Sequence, residues 1–521
     1  MGVDLVLRGG TVHDGLGTPG RVADVVVSGG RIAEVGRFEG VAHEVVDCDG
    51  LLVTPGFIDP HSHSDLVHAA RDAATFKIEQ GVTTEIVGNC GFSFAPMTAR
   101  SLALIGDSWD DLAGGHEIRE RTFADFLDDL ERARPANNVA ALVGHGTLRL
   151  AANGVEQPLR PGAAASMREL ASEAFEAGAI GLSSGLIYVP GAYSDTDELI
   201  DVARVAAVYG RPYATHMRDE ADHLLDAVRE ALTIGKRAGV RVQVSHCKAA
   251  GKRNHGSSGA LLDAIAAARR DGVDVFGDQY PYTAGSTFLS ALLPPVASEG
   301  GINALRERLT DAGERASLRR LAETGGIGAG QWSHAAPASV LVVAHHDERA
   351  VGKKLAEIAG DEDPWETLCR LVREDPGSLI VLELMAEDDV RRIMADPLVA
   401  VGSDNGPPIG MQHPRTWGCF PRVLGTYVRE LGVLTWEAAV RKMTSMTARH
   451  FSLTGRGALL EGMVADVCVF DPQRVGHTGT YLAPNVRPDG IELVTLAGTP
   501  VLRDGQPTGA RAGRVLRAGR G

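Results

Sequence analysis

The chain has 521 residues, of which 44% are hydrophobic and 23% charged, a globular composition with room for one large and one small domain. Its formal net charge of −15 argues against nucleic acid or an anionic membrane surface as the partner, because both select for clustered Lys and Arg. Six scattered cysteines do not form a disulfide scaffold, and no apolar run reaches the roughly 18 residues that a membrane helix needs. We therefore expect a cytoplasmic protein.

The first fifty residues are predicted to form short strands. Residues 4–7, 23–28 and 31–35 are apolar or alternate between apolar and polar side chains, which is typical of strands. Pairs of glycines separate these runs, as expected for tight turns. This pattern indicates a small β-domain that begins with residues 1–54.

After residue 55 the pattern changes to short apolar runs that each end in a polar side chain, with helix-like stretches between them. Strands that alternate with helices predict a parallel sheet, and seven or eight such units predict a (β/α)8 barrel with its site where the strands end. We expect this barrel to span residues 55–454. Polar residues that end these runs include His61, Cys90, His145, His216, His246, Asp278 and Asp404.

Two later segments depart from the barrel pattern. Around residues 290–382 the pattern is diluted over a length that is unusual for a barrel loop, and we expect a lid or insertion there. Strand-like segments return near the end of the chain, so residues 455–521 are predicted to pair with the first strands and to complete the small β-domain. The final segment, GARAGRVLRAGRG, is basic and Gly-rich, and we expect it to be loosely held.

A histidine pair and a cysteine follow the first two predicted barrel strands. His61 and His63 lie directly after an apolar run, and residues i and i+2 of a strand point the same way, so both imidazoles could bind one metal ion. Cys90 follows the next strand between Gly88 and Gly91, and its thiolate would be a strong zinc ligand. Two loop histidines and a buried packing cysteine remain the alternative interpretation of these residues.

His216 and His246 each end a predicted strand, about thirty residues apart. This spacing corresponds to one β/α unit, so neighbouring strands would bring the two side chains together. Asp404 ends a late strand, and a carboxylate beside a bound water is the general base that metal-assisted hydrolysis needs. Together with His61, His63 and Cys90, these residues predict a metal centre at one rim of the barrel.

The sequence resembles the N-acyl-D-amino-acid deacylases (D-aminoacylases) of the amidohydrolase superfamily over nearly its whole length. Cys90 stands where many relatives have a metal-bridging lysine, and with the segment HPRTWG it is the most specific part of the resemblance. The stretch between residues 285 and 382 resembles the family only loosely. The matching segments include PGFIDPHSHSD, GVTTEIVGNCGFS, GLSSGLIYVPGAYSDTDEL, THMRDE, VSHCKAAG, DQYPYTAGST, VGSDNG and GMVADVCVFDP.

The resemblance implies a zinc cofactor and assigns its ligands. Cys90, His216 and His246 would hold one tightly bound ion. His61 and His63, with Cys90 shared between the sites, would form a weaker second site. Whether one ion or two are present in the working protein stays open.

The resemblance also implies the reaction, which is hydrolysis of the amide bond of N-acyl-D-amino acids to a carboxylate and a free D-amino acid. Asp404 would carry the proton, and Tyr188, Lys248, Tyr280 and Arg415 would bind the carboxylate of a small-molecule substrate. Arg offers a bidentate fork for a carboxylate, which agrees with this role. The preference for D-amino acids comes from the resemblance alone.

Two alternatives remain at this point. The first is a cyclic-amide hydrolase of the dihydroorotase or hydantoinase type, and Cys90 speaks against it because such enzymes usually carry a bridging lysine. The second is a scaffold protein that kept the barrel and lost catalysis, although every expected ligand and Asp404 are present. The oligomeric state, monomer or homodimer, stays open.

Overall fold

The computed structural model describes residues 2–69, 75–408 and 410–519 of the chain, and its first five strands lie in one sheet. They are β1 (Val3–Val12), β2 (Arg21–Ser28), β3 (Arg31–Gly36), β4 (Ala42–Asp47) and β5 (Leu52–Pro55). Strand β1 pairs antiparallel with β2 and parallel with β4 and β5. Alternate side chains such as Leu5 and Leu7 on β1 and Val25 and Val27 on β2 share one buried core, as the alternating pattern predicts.

The next seven strands run parallel to one another and form most of a barrel. They are β6 (Phe57–Asp59), β7 (Val82–Val87), β8 (Asn138–Gly144), β9 (Gly181–Gly185), β10 (Tyr213–His216), β11 (Val242–Val244) and β12 (Val275–Gln279). Every residue of these strands is buried, because helices cover the outside and side chains fill the inside. The helices of this segment are α1 (Ala99–Ile105), α2 (Phe123–Ala133), α3 (His145–Ala152), α4 (Ala163–Ala177), α5 (Thr196–Val208), α6 (Leu224–Ala238) and α7 (Ser258–Arg270).

After β12 the chain leaves the barrel and forms a separate insertion, which we call the lid. Its strands are β13 (Ala284–Phe288), β14 (Val340–Ala344) and β15 (Leu379–Glu383), and they pair antiparallel in the order β13-β15-β14. The lid helices are α8 (Ile302–Thr310), α9 (Ala312–Thr324), α10 (Leu355–Ala359) and α11 (Pro364–Glu374). These elements enclose a core of their own around the fully buried Trp365. The diluted segment of the sequence is therefore an ordered α/β insertion.

The chain then returns to the barrel through α12 (Glu387–Ala395) and β16 (Val399–Val401). Strand β16 pairs parallel with β12, which gives one sheet of eight parallel strands in the described part of the chain. A bridge between Ser62 and Asn405 links the two edge strands just beyond their ends, so the barrel is nearly closed. The helices that follow are α13 (Arg415–Arg422), a π-helical turn (Val423–Glu430), α14 (Trp436–Met443) and α15 (Ser445–His450).

The last strands join the sheet made by the first ones. They are β17 (Val467–Phe470), β18 (Ile491–Leu496), β19 (Thr499–Arg503) and β20 (Gln506–Pro507), and β17 pairs antiparallel with β5. The predicted fold class, a (β/α)8 barrel with a small β-domain made from both ends of the chain, is confirmed. The boundaries at residues 54 and 455 stay predictions. Across the three described ranges, no helix combines the length and the apolar character needed to cross a membrane.

The final segment was expected to be loosely held, and this prediction is wrong for residues 511–519. Its backbone runs along the bottom of the barrel, where Gly513 N donates to Pro135 O at 3.1 Å and Leu516 N donates to Val139 O at 2.7 Å. Ala518 N donates to Gly178 O at 3.0 Å. Backbone carbonyl groups near the starts of the barrel strands accept these hydrogen bonds. The composition of the final segment does not reveal such partners.

Candidate metal centre

The residues predicted as metal ligands lie together at the carboxyl ends of the barrel strands. All but His63 are buried, and His63 is half-buried. Parallel strands of a barrel end at the same rim, so residues far apart in the chain meet there. His61 and His63 follow β6, Cys90 follows β7, His216 ends β10, His246 follows β11 and Asp404 follows β16.

Cys90, His216 and His246 form one set of donor atoms. The Sγ of Cys90 lies 3.5 Å from Nε2 of His246, and that nitrogen lies 2.9 Å from Nδ1 of His216. Tetrahedral zinc with bonds of about 2.0 Å to nitrogen and about 2.3 Å to sulfur places its donors roughly 3.3–3.6 Å apart. The sulfur–nitrogen distance lies in this range and the nitrogen–nitrogen distance lies below it, so one thiolate and two imidazoles would hold a zinc ion once the two rings move slightly apart.

A second set, His61, His63, Cys90 and Asp404, adjoins the first and shares Cys90 with it. The Nε2 atom of His61 lies 3.3 Å from Sγ of Cys90 and 3.3 Å from Oδ1 of Asp404. The same carboxylate oxygen lies 3.3 Å from Nε2 of His63. The structure therefore brings all five predicted ligands and Asp404 into one cluster around a common thiol.

Three of these residues have a backbone conformation that is rare for non-glycine residues. Cys90, His246 and Asp404 have φ angles of 52°, 37° and 50°. Such conformations cost about 1–2 kcal/mol each and persist only where the surroundings enforce them. The glycines beside Cys90 are required for close packing, because a Cβ on Gly88 would lie 2.2 Å from the carbonyl oxygen of Leu142.

The electrostatic surroundings keep Cys90 and Asp404 ionised. Burial alone would raise the pKa of Cys90, but the charge of His61 and hydrogen bonds from His216 and His246 hold it well below the usual value for a thiol. Burial would also raise the pKa of Asp404, but Arg415 and His61 hold it well below its usual range. A thiolate is the form of cysteine that binds metals.

Two carboxylates behind the ligands were not predicted as site residues. Glu220 Oε1 lies 2.8 Å from Nδ1 of His246, and its Oε2 lies 3.7 Å from Nε2 of His216. Asp278 accepts a hydrogen bond from the backbone N of His246 at 3.0 Å and lies 3.3 Å from Nδ1 of His61. Carboxylates in such positions fix the orientation and tautomer of metal-binding histidines.

The sequence held a signal for both of these carboxylates. Glu220 is in the segment THMRDE, four residues after His216, and Asp278 ends an apolar run as the ligands do. Neither position could be separated from an ordinary polar residue without the fold.

The four predicted substrate-binding residues, Tyr188, Lys248, Tyr280 and Arg415, line one cavity with the metal ligands. The guanidinium of Arg415 lies 4.6 Å from the ring centroid of Tyr280, and Nζ of Lys248 lies 5.8 Å from it. Lys248 Nζ also lies 2.6 Å from Oε1 of Glu220. Burial raises the pKa of Tyr280 to about 12, so its hydroxyl is neutral and can donate a hydrogen bond.

Arg415 is the most informative of the four because its donors are not fully used. The side chain is buried, and Nη1 lies 2.8 Å from Oδ2 of Asp404. Nevertheless, no described residue accepts a well-aligned hydrogen bond from Nε or Nη1. Buried donors of this kind are costly unless a ligand satisfies them. The geometry therefore suits an anion placed between Arg415 and the metal ligands.

A third group of possible ligands, His345, His346 and Asp375, lies in the lid. Both ring nitrogens of His345 already have partners, since Nδ1 accepts from the backbone N of Asp347 at 2.9 Å and Nε2 lies 3.4 Å from Leu371 O. This group has no open donor set comparable to the one at the barrel rim.

Comparison with known proteins agrees with this site. The amidohydrolase family profile matches residues 44–502 of the chain. A D-aminoacylase from Alcaligenes xylosoxydans xylosoxydans is 40% identical over 515 residues, which cover 98% of this chain and 97% of that protein. A relative at this identity over nearly the full length shares the whole fold, and the likeness is not confined to one motif.

Solved structures support the same relationship. An N-acyl-D-glutamate deacylase from Bordetella bronchiseptica, complexed with zinc and a phosphonate inhibitor that mimics the tetrahedral intermediate, has a TM-score of 0.86 at 36% identity and covers 99% of this chain and 100% of its own. A D-aminoacylase studied for its binuclear metal centre, with one-metal activation and second-metal attenuation, has a TM-score of 0.86 at 38% identity, with coverage of 99% and 100%.

A cyclic-amide hydrolase gives a more distant structural match. An L-hydantoinase from Arthrobacter aurescens has a TM-score of 0.55 at 17% identity, covering 99% of this chain and 100% of its own, and this likeness shows the fold alone. The chain belongs to the amidohydrolase family and, within it, to the group of hydrolases formed by D-aminoacylase and its deacylase relatives.

Proposed function

We propose that this protein hydrolyses the amide bond of N-acyl-D-amino acids and releases a carboxylate and a free D-amino acid. The observation that carries this proposal is the buried Arg415, which lines the same cavity as the metal ligands and whose Nε has no hydrogen-bond partner among the described residues. An N-acyl amino acid held there by its carboxylate would present an amide nitrogen two bonds from the carboxylate carbon. The preference for the D-isomer rests on the relatives, which are named for D-amino acids.

The metal in this proposal is zinc, held tightly by Cys90, His216 and His246. His61 and His63, with the shared Cys90, form the weaker second site. When bound, zinc supplies Lewis-acid chemistry, which makes water nucleophilic near neutral pH and polarises a carbonyl. The mixed sulfur and nitrogen donor set favours zinc over magnesium or calcium, which prefer oxygen ligands.

Arg415, with Lys248, Tyr188 and Tyr280, holds the substrate carboxylate and so fixes the amide next to Asp404. Asp404 accepts a proton as water adds to the amide carbon. The same carboxyl group then donates that proton to the leaving nitrogen as the C–N bond breaks, so the proton is conserved. A substrate carboxylate at Arg415 also neutralises part of the charge that keeps the pKa of Asp404 low, which makes Asp404 a better base once substrate is bound.

The test is amine release from matched N-acetyl-D- and N-acetyl-L-amino acids by zinc-loaded protein. We expect cleavage of D-forms and none of L-forms. A parallel assay with hydantoins tests the cyclic-amide alternative. Cleavage of hydantoins alone, or of no substrate with zinc bound, would overturn the proposal.

Several broader predictions from the sequence stay predictions. These are the cytoplasmic location, the lack of nucleic-acid and membrane partners, and a monomeric or homodimeric state. Gel filtration with light scattering would decide the last of them.

A further inference from the structure

A cavity lined mostly by apolar side chains adjoins the candidate metal centre, and three aromatic rings lie at the border between the two spaces. Phe92, Tyr188 and Phe288 line both the metal-centre cavity and this second one. Their ring centroids lie 4.9 Å (Phe92 to Tyr188), 5.8 Å (Phe92 to Phe288) and 6.1 Å (Tyr188 to Phe288) apart. We call the second space the acyl cavity.

Most of the side chains that line the acyl cavity are apolar. Among the described residues that line it, none is charged, and its polar side chains are serines and Tyr188. Trp109, Leu150 and Ile302 contribute to its barrel and lid sides. Its volume is about 110 Å³, which is comparable to the roughly 150 Å³ apolar cavity that binds benzene in an engineered protein. Such a space favours an apolar ligand over water.

The position of the cavity shows which part of the substrate reaches it. In the proposed function the carboxylate lies at Arg415, and the scissile carbonyl lies at Cys90, His216 and His246. Phe92 is two residues after Cys90, and the ring of Tyr188 contacts that of His216 at 5.1 Å. A chain that extends from the carbonyl past Cys90 and His216 therefore meets these rings.

The side chain of the amino acid is attached to a different atom of the substrate than the acyl chain is. It branches from the carbon that carries the carboxylate, one bond from the group held by Arg415. A neighbouring space has charged side chains in its wall, Arg218, Asp219 and Glu220 among them, whereas the described residues that line the acyl cavity include none. The two spaces thus differ in the charge of their walls.

We propose that the acyl cavity binds the acyl chain of the substrate, so that this protein prefers apolar acyl groups of about six carbons over acetyl. This inference rests on the proposed function. Burial of each methylene contributes about fourfold to binding, from the usual transfer free energy. We therefore expect kcat/KM to rise at least about tenfold from acetyl to hexanoyl.

The first experiment compares N-acetyl, N-butanoyl and N-hexanoyl derivatives of one D-amino acid. Ser298 lines the acyl cavity but not the neighbouring space and is half-buried, so Ser298→Phe should fill the cavity and lower the hexanoyl-to-acetyl ratio of kcat/KM at least about tenfold. Ala316→Phe, on the exposed face of α9, is the matched control and should leave this ratio unchanged. If Ser298→Phe does not fold, Ser108→Phe fills the cavity from another side.

A second series keeps the acetyl group and varies the amino-acid side chain from alanine to leucine to phenylalanine. Ser298→Phe should change this series little. A larger effect on this series than on the acyl series would assign the cavity to the side chain and overturn the proposal. An acyl series that stays flat in the unaltered protein would overturn it as well.

Failure of the proposed function can be told apart from failure of this inference. If no N-acyl-D-amino acid is cleaved, hexanoate and acetate can be titrated into the zinc-loaded protein while tryptophan fluorescence is recorded. Trp109 lines the acyl cavity, so hexanoate should change the signal, and the change should be lost in Trp109→Phe. No difference between hexanoate and acetate would reject the cavity as an acyl site.

Discussion

At the scale of single residues, the metal centre is held in place before any ligand binds. Positive φ angles at Cys90, His246 and Asp404 aim their side chains at one point, and buried carboxylates hold the histidine rings. Glu220 contacts both His246 and Lys248, and Arg415 contacts Asp404. A change at one of these positions should therefore affect either metal binding or proton transfer, depending on which partner it contacts.

Replacement of Asp404 by Asn removes the proposed proton carrier with little change in volume. We expect kcat to fall about 10²- to 10⁴-fold, the usual contribution of a general base. Zinc content should stay near that of the unaltered protein, because Cys90, His216 and His246 remain. Turnover and elemental analysis would be measured together, with the exposed Asp226→Asn as control. Full turnover with full zinc content would contradict the assignment.

Replacement of Glu220 by Gln keeps the size of the side chain but removes the charge beside His246 and Lys248. Loss of such an orienting carboxylate typically weakens metal binding about 10- to 100-fold. Zinc affinity, measured by competition with a chelator, should fall in this range. Glu230→Gln, which alters the ion pair with Arg218 outside the metal cavity, is the control and should leave the affinity unchanged. Equal zinc affinity in both variants would show that Glu220 does not orient the ligands.

At the scale of elements, a buried lysine joins a late helix to the last barrel strand. Lys442 on α14 donates to the backbone carbonyls of Asp396 and, at 2.6 Å, Val399 where β16 begins. Burial lowers the pKa of Lys442 to about 7 from its ordinary value of 10.5, with Asp396 opposing this shift and Arg441 adding to it. The folded protein therefore binds this proton less tightly than the unfolded chain does.

The sign of the effect follows from this difference. Between pH 7 and 10.5 the unfolded chain holds a proton that folded Lys442 has released, so stability from this group rises with pH in that window. From pH 7 to 9 the gain is about 2 kcal/mol. In Lys442→Met this rise should be absent. The Tm of the unaltered protein should therefore increase relative to the Tm of the variant as the pH is raised from 7 to 9. Lys236→Met, at an exposed position, serves as the control. Parallel profiles of Tm against pH for the unaltered protein and both variants would contradict the lowered pKa of Lys442.

The elements also differ in how far the sequence predicted them. The barrel strands were predicted because a buried parallel strand needs a continuous apolar run, and such runs precede His61, Cys90, His216 and His246. The internal structure of the lid was not predicted. Its short elements pack around Trp365, and this core exists only after residues from 289 to 382 have come together.

At the scale of the whole molecule, the end of the chain closes the bottom of the barrel, opposite the metal centre. Leu516 packs against a core cluster that contains Ile86, Ala140 and Phe276, three side chains from different barrel strands. The backbone bonds of Gly513, Leu516 and Ala518 add to this contact.

Truncation after Gly509 should therefore lower the Tm, because it uncovers these side chains and leaves three backbone carbonyls without their present partners. Zinc content per folded molecule should not change, since the ligands lie at the other end of the strands. Thermal unfolding and elemental analysis would test both points. An unaltered Tm would show that the final segment is as loosely held as its composition suggests.

The sequence by itself determined the alternation of strands and helices, and it identified the side chains that end the barrel strands, because both depend on local periodicity and on residue type. The fold class and the candidate ligands His61, His63, Cys90, His216 and His246 followed from such local patterns, and the family followed from the resemblance of longer segments. Only the tertiary structure placed Glu220 and Asp278 behind the ligands, formed the acyl cavity between barrel and lid, and ordered the final segment. These features depend on contacts between distant parts of the chain, and local sequence patterns do not predict such contacts.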